Sequence, residues 1–434
     1  MAKQITVIGT GYVGLVTSVG LADFGNYVTG VDINKSIVDK LNHGEPTIYE
    51  HGLEEYLDRN LQSGRLSFST DVSEAVKKSD IVFLAVGTPP KTSGEADLSQ
   101  IQTAAQAIAD NLTRYTVIVT KSTVPVGTNR WIKGLIEARN PEAAFDVVSN
   151  PEFLREGKAV QDFFHPDRIV LGCETETAKE YLQDVYRALN LIHVPFVWCN
   201  LETAELIKYA SNAFLATKIT FINQMANLAE AVGADIHTIA RSMGMDGRIS
   251  PKFLHPGPGY GGSCFPKDTR AIASTGDKYG VNMSVIKEVI DANEYQKTRM
   301  ADKLKGLLGD LEGKPIAVLG LTFKAETDDV RESPAISMVE KLVREKAVVH
   351  VHDPKGLANF RLLFGDGLHY HENEFEALHD VEAMVVMTEW NEYRNLDLLR
   401  ARDVMAGNII LDTRNVMDAD RARELGFAYS GVGR

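Results

Sequence analysis

Short apolar runs alternate with amphipathic segments along the first 200 residues, as the strands and helices of a parallel sheet do. Several runs are rich in Val, Ile and Phe without a polar face, which is typical of strands covered on both sides. The runs lie at residues 5–8, 27–31, 80–86, 115–120, 145–149, 168–172 and 195–198. Helix-compatible segments lie at residues 15–24, 35–42, 53–62 and 98–111. The alternation predicts a doubly wound α/β domain over residues 1–200.

The pattern changes after residue 200. Residues 201–232 contain no Gly or Pro and predict one long helix that ends at Gly233. A shorter helix is predicted at 235–243, followed by a glycine-rich loop and by helices to about residue 307. Strand-like runs then return at residues 315–320, 348–353, 383–387 and 409–412. We therefore predict three domains: residues 1–200, a central helical domain at 201–312, and a second α/β domain at 313–434.

The first strand leads directly into a G-x-G-x-x-G motif, Gly9-Thr10-Gly11-Tyr12-Val13-Gly14. In a dinucleotide fold, Gly9 makes the tight turn, Gly11 admits the pyrophosphate and Gly14 allows close packing of helix on strand. Asp32 ends the second strand, about 20 residues later, where an acid binds the ribose 2′-hydroxyl of NAD and repels the 2′-phosphate of NADP. The sequence therefore predicts a Rossmann domain that binds NAD.

The second α/β domain departs from this motif. Its first strand is followed by Gly320-Leu321-Thr322-Phe323-Lys324, which lacks the second and third glycines. We therefore expect two Rossmann-like domains joined by a long central helix, of which only the first holds NAD in this manner.

The amino-acid composition excludes several classes of binding partner. The formal net charge of −13 over 434 residues argues against a general binder of nucleic acid or of anionic membranes. The N-terminus runs straight into the first strand, and no apolar run approaches the ~20 residues that span a bilayer. The three cysteines are widely spaced and give neither a disulfide nor a zinc pattern. We expect a cytoplasmic protein without a structural metal, and interpret His350 and His352 as strand residues rather than metal ligands.

Polar residues follow several predicted strands of the first domain. Ligands of doubly wound sheets bind at the carboxyl ends of the strands, so these residues are expected to line one cleft. They are Thr88, Thr123, Glu152 and Glu156. Lys208 and Asn212 lie four residues apart on the long helix and therefore share one of its faces.

The glycine-rich loop at 257–262 leads into a cysteine. Cys264 is followed by Lys267 and Asp268, and a nearby lysine favours the reactive thiolate while an acid can move protons. An acidic protein needs local cations to hold a phosphorylated ligand. The candidates are Lys324, Arg331 and Arg414.

These motifs, in this order, resemble the nucleotide-sugar 6-dehydrogenases nearly end to end. The resemblance rests on the Gly9–Gly14 motif with Asp32 and on segments 121–125, 150–154, 205–212, 261–268, 323–324 and 331–333. It implies an N-terminal NAD domain, a C-terminal domain for the nucleotide, and oxidation of a sugar C6 alcohol to a carboxylate with two NAD. Residues 208–212 lack the extra cysteine of the enzymes for GDP-mannose, which favours UDP-glucose as substrate and UDP-glucuronate as product.

The resemblance also implies a role for each matching residue. Cys264 would trap the aldehyde as a thiohemiacetal and later carry a thioester, while Lys208 and Asn212 would stabilise the oxyanion. Water would be held and activated by Asp268, Thr123 and Glu152. Cofactor contacts would come from Gly9, Gly11, Tyr12, Val13, Gly14, Asp32, Lys35, Thr88, Thr123, Glu156, Lys267 and Arg331. Substrate contacts would come from Glu152, Phe153, Leu154, Lys208, Asn212, Arg248, Phe253, Leu254, Tyr260, Gly261, Phe323, Lys324 and Arg414.

Two of these positions carry further expectations. Lys35 stands near the place where some family members carry an arginine on the adenosine side, and is expected to substitute for it. Arg248 is expected to act across a subunit interface. We predict a homodimer formed through the central helix.

Three other interpretations stay open at this point. A single-step, hydroxyacid-type dehydrogenase needs no cysteine. In such an enzyme Lys208 and Asn212 would carry out the proton transfer. An NAD-binding sensor or scaffold would have no turnover at all. The third interpretation is a dehydrogenase of the expected kind that acts on another UDP-hexose or on GDP-mannose.

Overall fold

The computed structural model describes residues 2–434. The chain divides into two compact units, Met1–Ser211 and Asn212–Arg434, called here the first and the second unit. Each unit is built around its own mainly parallel sheet. The structure thus confirms the α/β class with two Rossmann-like sheets and a long helix between them in the chain.

The first unit contains eight strands, which alternate with helices along the chain. The strands are β1 Gln4–Ile8, β2 Tyr27–Val31, β3 Leu66–Ser69, β4 Ile81–Leu84, β5 Thr116–Thr120, β6 Phe145–Ser149, β7 Ile169–Gly172 and β8 Phe196–Cys199. The helices are α1 Tyr12–Asp23, α2 Lys35–Asn42, α3 Leu53–Gln62, α4 Val72–Lys78, α5 Ser99–Asn111, α6 Thr128–Arg139, α7 Ala159–Phe164, α8 Glu176–Val185 and α9 Arg187–Leu191.

The sheet of the first unit has the strand order β3-β2-β1-β4-β5-β6-β7-β8. All pairings are parallel except β6 with β7, which meet in antiparallel fashion at Ser149 and Gly172. The central strands are buried on both faces, and β4 is fully buried along its length. Their carboxyl ends therefore share one edge of the sheet, where the turn after β1 and the loops after β4, β5 and β6 emerge.

Several elements of the first unit differ from the sequence predictions. Helix α1 begins at Tyr12, three residues before the predicted start, because it starts inside the glycine motif itself. Strand β3 and helix α4 were not predicted. Strand β3 is a short edge strand with alternating burial and two serines, and such a run lacks the continuous apolar character of the central strands.

Helix α10 (Leu201–Val232) runs through the boundary between the units and has the bounds predicted from the sequence. Within the second unit it carries large apolar side chains that are exposed. They are Phe214 (64% exposed), Phe221 (43%), Leu228 (56%) and Val232 (67%), called here the α10 stripe. The first three are spaced seven residues apart and therefore lie along one side of the helix.

The second unit begins with helices and ends with a six-stranded sheet. The further helices are α11 Ile236–Gly244, α12 Phe265–Lys278, α13 Ser284–Leu308, α14 Pro334–Arg344, α15 Leu357–Phe364, α16 Glu374–Ala377, α17 Asn391–Arg394, α18 Leu398–Val404 and α19 Ala419–Glu424. The strands are β9 Pro315–Leu319, β10 Val348–His352, β11 His369–Tyr370, β12 Ala383–Val386, β13 Ile409–Asp412 and β14 Ala428–Ser430.

This second sheet is parallel throughout, with the order β11-β10-β9-β12-β13-β14. Renumbered from its own first strand, the order is that of a complete dinucleotide-binding fold. The sequence patterns did not predict the edge strands β11 and β14, which are only two and three residues long.

None of the helices in residues 2–434 combines the length and the apolar character needed to cross a membrane.

Candidate active site

The glycine motif after β1 builds a turn that only glycine can form. Gly9 has a φ of 93°, and a Cβ on Gly14 would lie 1.8 Å from the carbonyl oxygen of Gly9. A Cβ on Gly11 would meet no atom within 4 Å, so the space beside this residue is open. In dinucleotide-binding folds a pyrophosphate binds in such a space, because the free N–H groups at a helix N-terminus favour negative charge.

Asp32 stands at the carboxyl end of β2, beside that turn. Its Oδ2 accepts hydrogen bonds from the backbone N–H and the hydroxyl of Thr10, at 3.1 and 2.8 Å. Its Oδ1 accepts from the N–H of Asn34 at 2.9 Å. Asp32 is half-buried and its Oδ1 accepts only one hydrogen bond, so the carboxylate retains acceptor capacity for a ribose hydroxyl. Lys35 points its ammonium at Asp39, at 2.9 Å, and is exposed.

A buried carboxylate that sequence reasoning missed ties the glycine motif to two loops. Glu50, which is 8% exposed, accepts a hydrogen bond from the hydroxyl of Tyr12 and one from the N–H of Gly157 at 2.8 Å. Burial, together with the Glu50 carboxylate, raises the pKa of Tyr12 well above its usual value, so the phenol keeps its proton. Glu50 thus joins the motif, the loop before α3 and the loop after β6. No local pattern around Glu50 indicates this role.

Replacement of Tyr12 by Phe tests this connection. We expect Tyr12→Phe to lower the free energy of unfolding by about 1–3 kcal/mol, because a buried carboxylate loses a donor. Tyr27→Phe, at a half-exposed tyrosine on β2, is the matched control and should change stability little. Urea denaturation of both variants measures the difference. Equal stability of the two would show that Glu50 does not depend on the phenol.

The loops after β4 and β5 are held together by side chains. Thr88 donates a hydrogen bond from its hydroxyl to the carbonyl oxygen of Thr123, at 2.9 Å. Ser122 donates to the carbonyl oxygen of Val86 at 2.6 Å. The structure therefore brings Thr88 and Thr123, both candidate site residues, to one edge of the first sheet.

A buried ion pair lies at the same edge of the first unit. The Lys208 ammonium and Glu152 Oε1 are 3.0 Å apart, and the two side chains are 4% and 6% exposed. Glu152 Oε2 also accepts a hydrogen bond from the N–H of Leu154, at 2.5 Å. The ring of Phe153 lies 5.2 Å from the Lys208 ammonium. Such a pair is costly to remove from water, so its presence near strand ends indicates chemical use.

Glu205, one turn before Lys208 on α10, fixes the start of this helix. Its carboxylate accepts hydrogen bonds from the N–H of Gly127 at 2.7 Å and from the N–H and side chain of Asn129 at 2.8 and 2.7 Å. Burial raises the pKa of Glu205 although these hydrogen bonds oppose the shift. The carboxylate anchors α10 at the N-terminus of α6 and thereby positions Lys208.

In the second unit, Cys264 immediately precedes helix α12. Asp268, one turn along this helix, is 1% exposed. Its Oδ2 accepts from the Asn212 amide at 2.6 Å, and its Oδ1 lies 2.6 Å from the Lys267 ammonium. The Ser263 hydroxyl lies 3.6 Å from the Cys264 sulfur. The N-terminus of a helix stabilises negative charge, which suits a thiolate at this position.

The loop before Cys264 is fixed by buried carboxamides. The Asn223 side chain accepts a hydrogen bond from the N–H of Gly257 at 2.8 Å. The Gln296 side chain donates one to the carbonyl oxygen of Gly257, also at 2.8 Å. Asn293 accepts from the N–H of Tyr260 at 2.8 Å. Burial raises the pKa of Tyr260 to about 12, so its phenol stays neutral.

The next two residues of this loop must be glycines. A Cβ on Gly261 would lie 2.3 Å from the carbonyl oxygen of Glu332, and one on Gly262 would lie 2.7 Å from the ring of Phe323. The loop therefore packs its backbone directly against the segment after β9, which carries the candidate substrate residues Phe323 and Lys324.

The candidate substrate residues of the second unit, and the candidate cofactor residue Arg331, differ in what their side chains contact. Arg414 donates to the carbonyl oxygens of Met387 and Phe323, each at 2.8 Å, so its guanidinium is largely engaged. The Lys324 ammonium lies 5.5 Å from the ring of Phe323. Leu254 belongs to the core, whereas Phe253 contacts the ring of Phe265. Two exposed arginines pair with neighbouring acids: Arg248 with Asp246 and Arg331 with Asp329.

The turn after β9 has the same geometry as the turn after β1, but it leaves no space for a ligand beside the acid at the end of the next strand. Gly320 has a φ of 94°, close to that of Gly9. Asp353, at the end of β10, accepts six hydrogen bonds, from the backbone of residues 321, 322, 355 and 356, the Thr322 hydroxyl and the Trp390 indole. It is 2% exposed, so its carboxylate has no room for a ribose.

The histidines of β10 are neutral structural residues. His352 is hydrogen-bonded to the Tyr393 hydroxyl at 2.9 Å, and His350 lies against His369 and His371. Burial, assisted by the two neighbouring histidines, lowers the pKa of His350 to about 4. Among residues 2–434, no three His, Cys, Asp or Glu side chains are grouped so as to hold a metal ion.

Three family models match most of the chain. The NAD binding domain of the UDP-glucose/GDP-mannose dehydrogenase family matches residues 3–190. The central domain of that family matches residues 202–295, and its UDP binding domain matches residues 317–419.

Individual proteins match over the whole chain. A UDP-glucose 6-dehydrogenase of Rhizobium meliloti is 48% identical over 99% of this chain and 99% of its own. The structure of a UDP-glucose dehydrogenase from Pyrobaculum islandicum superposes with a TM-score of 0.93, at 42% identity, over 100% of this chain and 98% of that one. A UDP-D-ManNAc dehydrogenase from Pyrococcus horikoshii gives a TM-score of 0.87 at 27% identity, over 99% of both chains.

Proposed function

Because the chain belongs to the UDP-glucose/GDP-mannose dehydrogenase family, we propose that it oxidises the C6 alcohol of UDP-glucose to the carboxylate of UDP-glucuronate. The observation that carries this substrate is the full-length identity of 48% with a relative named for UDP-glucose, against 27% for the structural neighbour that acts on UDP-D-ManNAc. The family is NAD-dependent, and the turn at Gly9–Gly14 with Asp32 fits that cofactor.

Conversion of an alcohol to a carboxylate removes four electrons. NAD, when bound, supplies the hydride acceptor, and two molecules are needed for each sugar. A proton leaves the C6 hydroxyl in the first oxidation, which gives an aldehyde. The Cys264 sulfur then adds to the aldehyde carbon, and the resulting thiohemiacetal carries the hydrogen that the second oxidation removes. Water cleaves the thioester, which returns the thiol and releases the acid.

The other side chains support these steps by position and charge. Lys208 and Asn212 lie one turn apart on α10, and we assign them to the oxygen that becomes an alkoxide. Asp268 lies one turn after Cys264 and is assigned to the proton of the thiol and of the attacking water. Thr123 and Glu152 are assigned to holding that water.

The stoichiometry of NADH tests the function. With limiting UDP-glucose, purified protein is expected to form two NADH per sugar, read at 340 nm, together with UDP-glucuronate by mass spectrometry. One NADH per sugar would mean that oxidation stops at the aldehyde, as in a single-step dehydrogenase. Turnover of UDP-D-ManNAc in preference to UDP-glucose would overturn the substrate assignment.

We further propose that two copies associate through the α10 stripe. A protein with a net charge of −13 repels itself, so association needs an apolar face. The seven-residue spacing of Phe214, Phe221 and Leu228 fits a second copy of the same helix, packed about a two-fold axis.

A charge in the stripe tests this association. Phe221→Asp is expected to raise the dissociation constant of the dimer at least about 10-fold, because it buries a carboxylate in the interface. Leu362→Asp, at an 84% exposed residue of α15, is the matched control. Analytical ultracentrifugation over a range of protein concentrations measures both. A monomeric wild-type protein would rule the dimer out.

The proposed chemistry also requires a reduced thiol. All three cysteines, Cys173, Cys199 and Cys264, are thiols in the structure. This supports the proposal of a cytoplasmic location, where thiols are kept reduced.

A further inference from the structure

The peptide group of Gly257, seven residues before Cys264, is fixed by two buried side chains. Its N–H donates to Asn223 and its carbonyl oxygen accepts from Gln296, and both of these side chains are 2% exposed. A Cβ on Gly257 would lie 3.5 Å from a guanidinium nitrogen of Arg414, a candidate substrate residue. The loop that leads into Cys264 therefore starts beside the proposed substrate site.

A chain of hydrogen bonds leads away from this peptide group. Gln296 Oε1 accepts from the Asn227 amide at 2.8 Å, and Asn227 Oδ1 accepts from Arg299 Nε at 2.8 Å. Arg299 Nη2 pairs with Glu230 at 2.9 Å, and Glu230 also accepts from the N–H of Gly433 at 2.8 Å. These four side chains, called here the polar chain, thus connect the loop before the cysteine to the segment that follows β14.

The two ends of the polar chain dictate how its carboxamides point. A guanidinium only donates, so the atom of Asn227 that faces Arg299 must be its oxygen, and its nitrogen then faces Gln296. A backbone carbonyl only accepts, so the atom of Gln296 that faces Gly257 must be its nitrogen. Both ends require the same direction. Neither carboxamide can turn over without bringing two donors or two acceptors into contact.

Packing alone does not hold these carboxamides. A cavity of about 350 Å³ lies between α10 and α13, and its walls include Asn223, Gln224, Asn227 and Gln296. Side chains in a close-packed core are held by their neighbours, whereas those that border a cavity have room to turn. The hydrogen bonds of the polar chain therefore decide where the Gln296 amide points.

We propose that Gln296 is a positioning residue of the reaction, and that the rest of the polar chain acts by setting the direction of its amide. With its nitrogen towards Gly257, Gln296 holds the loop that leads into Cys264 in one conformation. That conformation keeps the Cys264 sulfur where it traps the aldehyde carbon. The last statement rests on the proposed function, whereas the fixing of the loop does not.

Asn227→Asp breaks the polar chain at its centre with almost no change of shape. The new carboxylate still accepts from Arg299 but has no N–H for Gln296. The Gln296 amide is then expected to turn over, so that it donates to this carboxylate and presents its oxygen to the carbonyl oxygen of Gly257. Two acceptors in contact repel each other, and the buried carbonyl loses its donor, so the loop is released.

The first test uses no substrate. Hydrogen exchange by mass spectrometry follows the peptide that contains residues 257–262, in which the N–H groups of Gly257, Tyr260 and Gly262 are hydrogen-bonded. Asn227→Asp is expected to raise its exchange rate at least about 10-fold. Gln224→Glu is the matched control, because it makes the same change from amide to carboxylate on the same helix and cavity wall. Equal exchange in wild type and Asn227→Asp would overturn the proposal.

A double variant separates the direction of the amide from general loosening of the loop. Gln296→Leu removes the amide, so Asn227→Asp should add little to the exchange rate in that background. Additive effects would mean that each substitution acts on the loop independently, against the proposal. Should Asn227→Asp fail to fold, Gln296→Glu keeps the acceptor for Asn227 and loses the donor to Gly257. It is expected to give the same rise in exchange, and an unchanged rate would overturn the proposal.

The second test follows kcat for NADH formation from UDP-glucose. Asn227→Asp is expected to lower kcat about 10-fold or more, because a nucleophile that is poorly placed reacts slowly. The dissociation constant of NAD should stay unchanged, since the turn assigned to the cofactor does not include the polar chain. Gln224→Glu should change neither quantity.

Other outcomes decide against the role of Gln296 in the reaction. An unchanged kcat despite faster exchange would mean that the position of the loop does not limit the reaction. A lower kcat together with weaker NAD binding would mean general destabilisation. A wild-type protein that forms no NADH from UDP-glucose would refute the proposed function, while the exchange experiment would still decide whether the polar chain fixes the loop.

Discussion

Cys264→Ser is expected to form one NADH per UDP-glucose instead of two, and to make UDP-glucuronate roughly 10³-fold more slowly or not at all. The hydroxyl of serine is a far weaker nucleophile than a thiolate, so the aldehyde is not trapped efficiently for the second oxidation. The first oxidation does not need the sulfur, and should continue. NADH yield with limiting sugar, and the mass of the product, measure the two oxidations separately.

The matched control is Cys199→Ser. Cys199 is a partly buried thiol at the end of β8, and the proposed chemistry gives it no role. This variant should keep two NADH per sugar. A Cys264→Ser variant with undiminished UDP-glucuronate formation would refute the thioester route and restore the cysteine-independent mechanism as the better explanation.

Lys208→Ala is expected to lower kcat about 10²–10⁴-fold while the dissociation constant of NAD stays nearly unchanged. The ammonium is assigned to the oxygen of the sugar, whereas the cofactor is assigned to the turn at Gly9–Gly14, which does not include Lys208. Stopped-flow or steady-state kinetics give kcat, and fluorescence titration gives the affinity for NAD. An intact kcat with only weaker NAD binding would contradict the assignment.

The same substitution leaves Glu152 buried without its partner, which typically costs about 3–5 kcal/mol of stability. A control is therefore needed to separate lost turnover caused by local unfolding from turnover lost with the ammonium itself. The double variant Lys208→Met with Glu152→Gln removes both charges and should recover much of the stability without recovering kcat. Recovery of stability and of kcat together would mean that the Lys208–Glu152 pair has only a structural role.

The sequence predicted those parts of the fold that depend on local patterns. Helix α10 was predicted with its observed bounds because it is long and free of Gly and Pro. The central strands were found because each is an unbroken apolar run. The start of α1 and the edge strands β3, β11 and β14 were not predicted, since a few residues with mixed polarity carry too little periodicity.

The site could be predicted as a set of residues but not as a set of contacts. The sequence singled out Glu152, Lys208, Asn212 and Asp268, yet nothing local indicates that Glu152 pairs with Lys208 or that Asp268 accepts from Asn212. Each contact joins residues more than 50 positions apart and exists only after the chain is packed. Glu50 was missed for the same reason.

The closed turn at Asp353 bears on competition between two similar ligands. Cofactor and nucleotide sugar both contain a nucleoside diphosphate, and the first six strands of each unit have the same order. Similar turns in the two units would let each ligand inhibit by occupying the other's site. In the second unit the carboxylate that would receive an adenosine ribose is already saturated by six donors of the protein. An excess of NAD should therefore not inhibit turnover by displacing the nucleotide sugar. The rate is expected to rise with NAD concentration to a plateau and to stay there at higher concentrations.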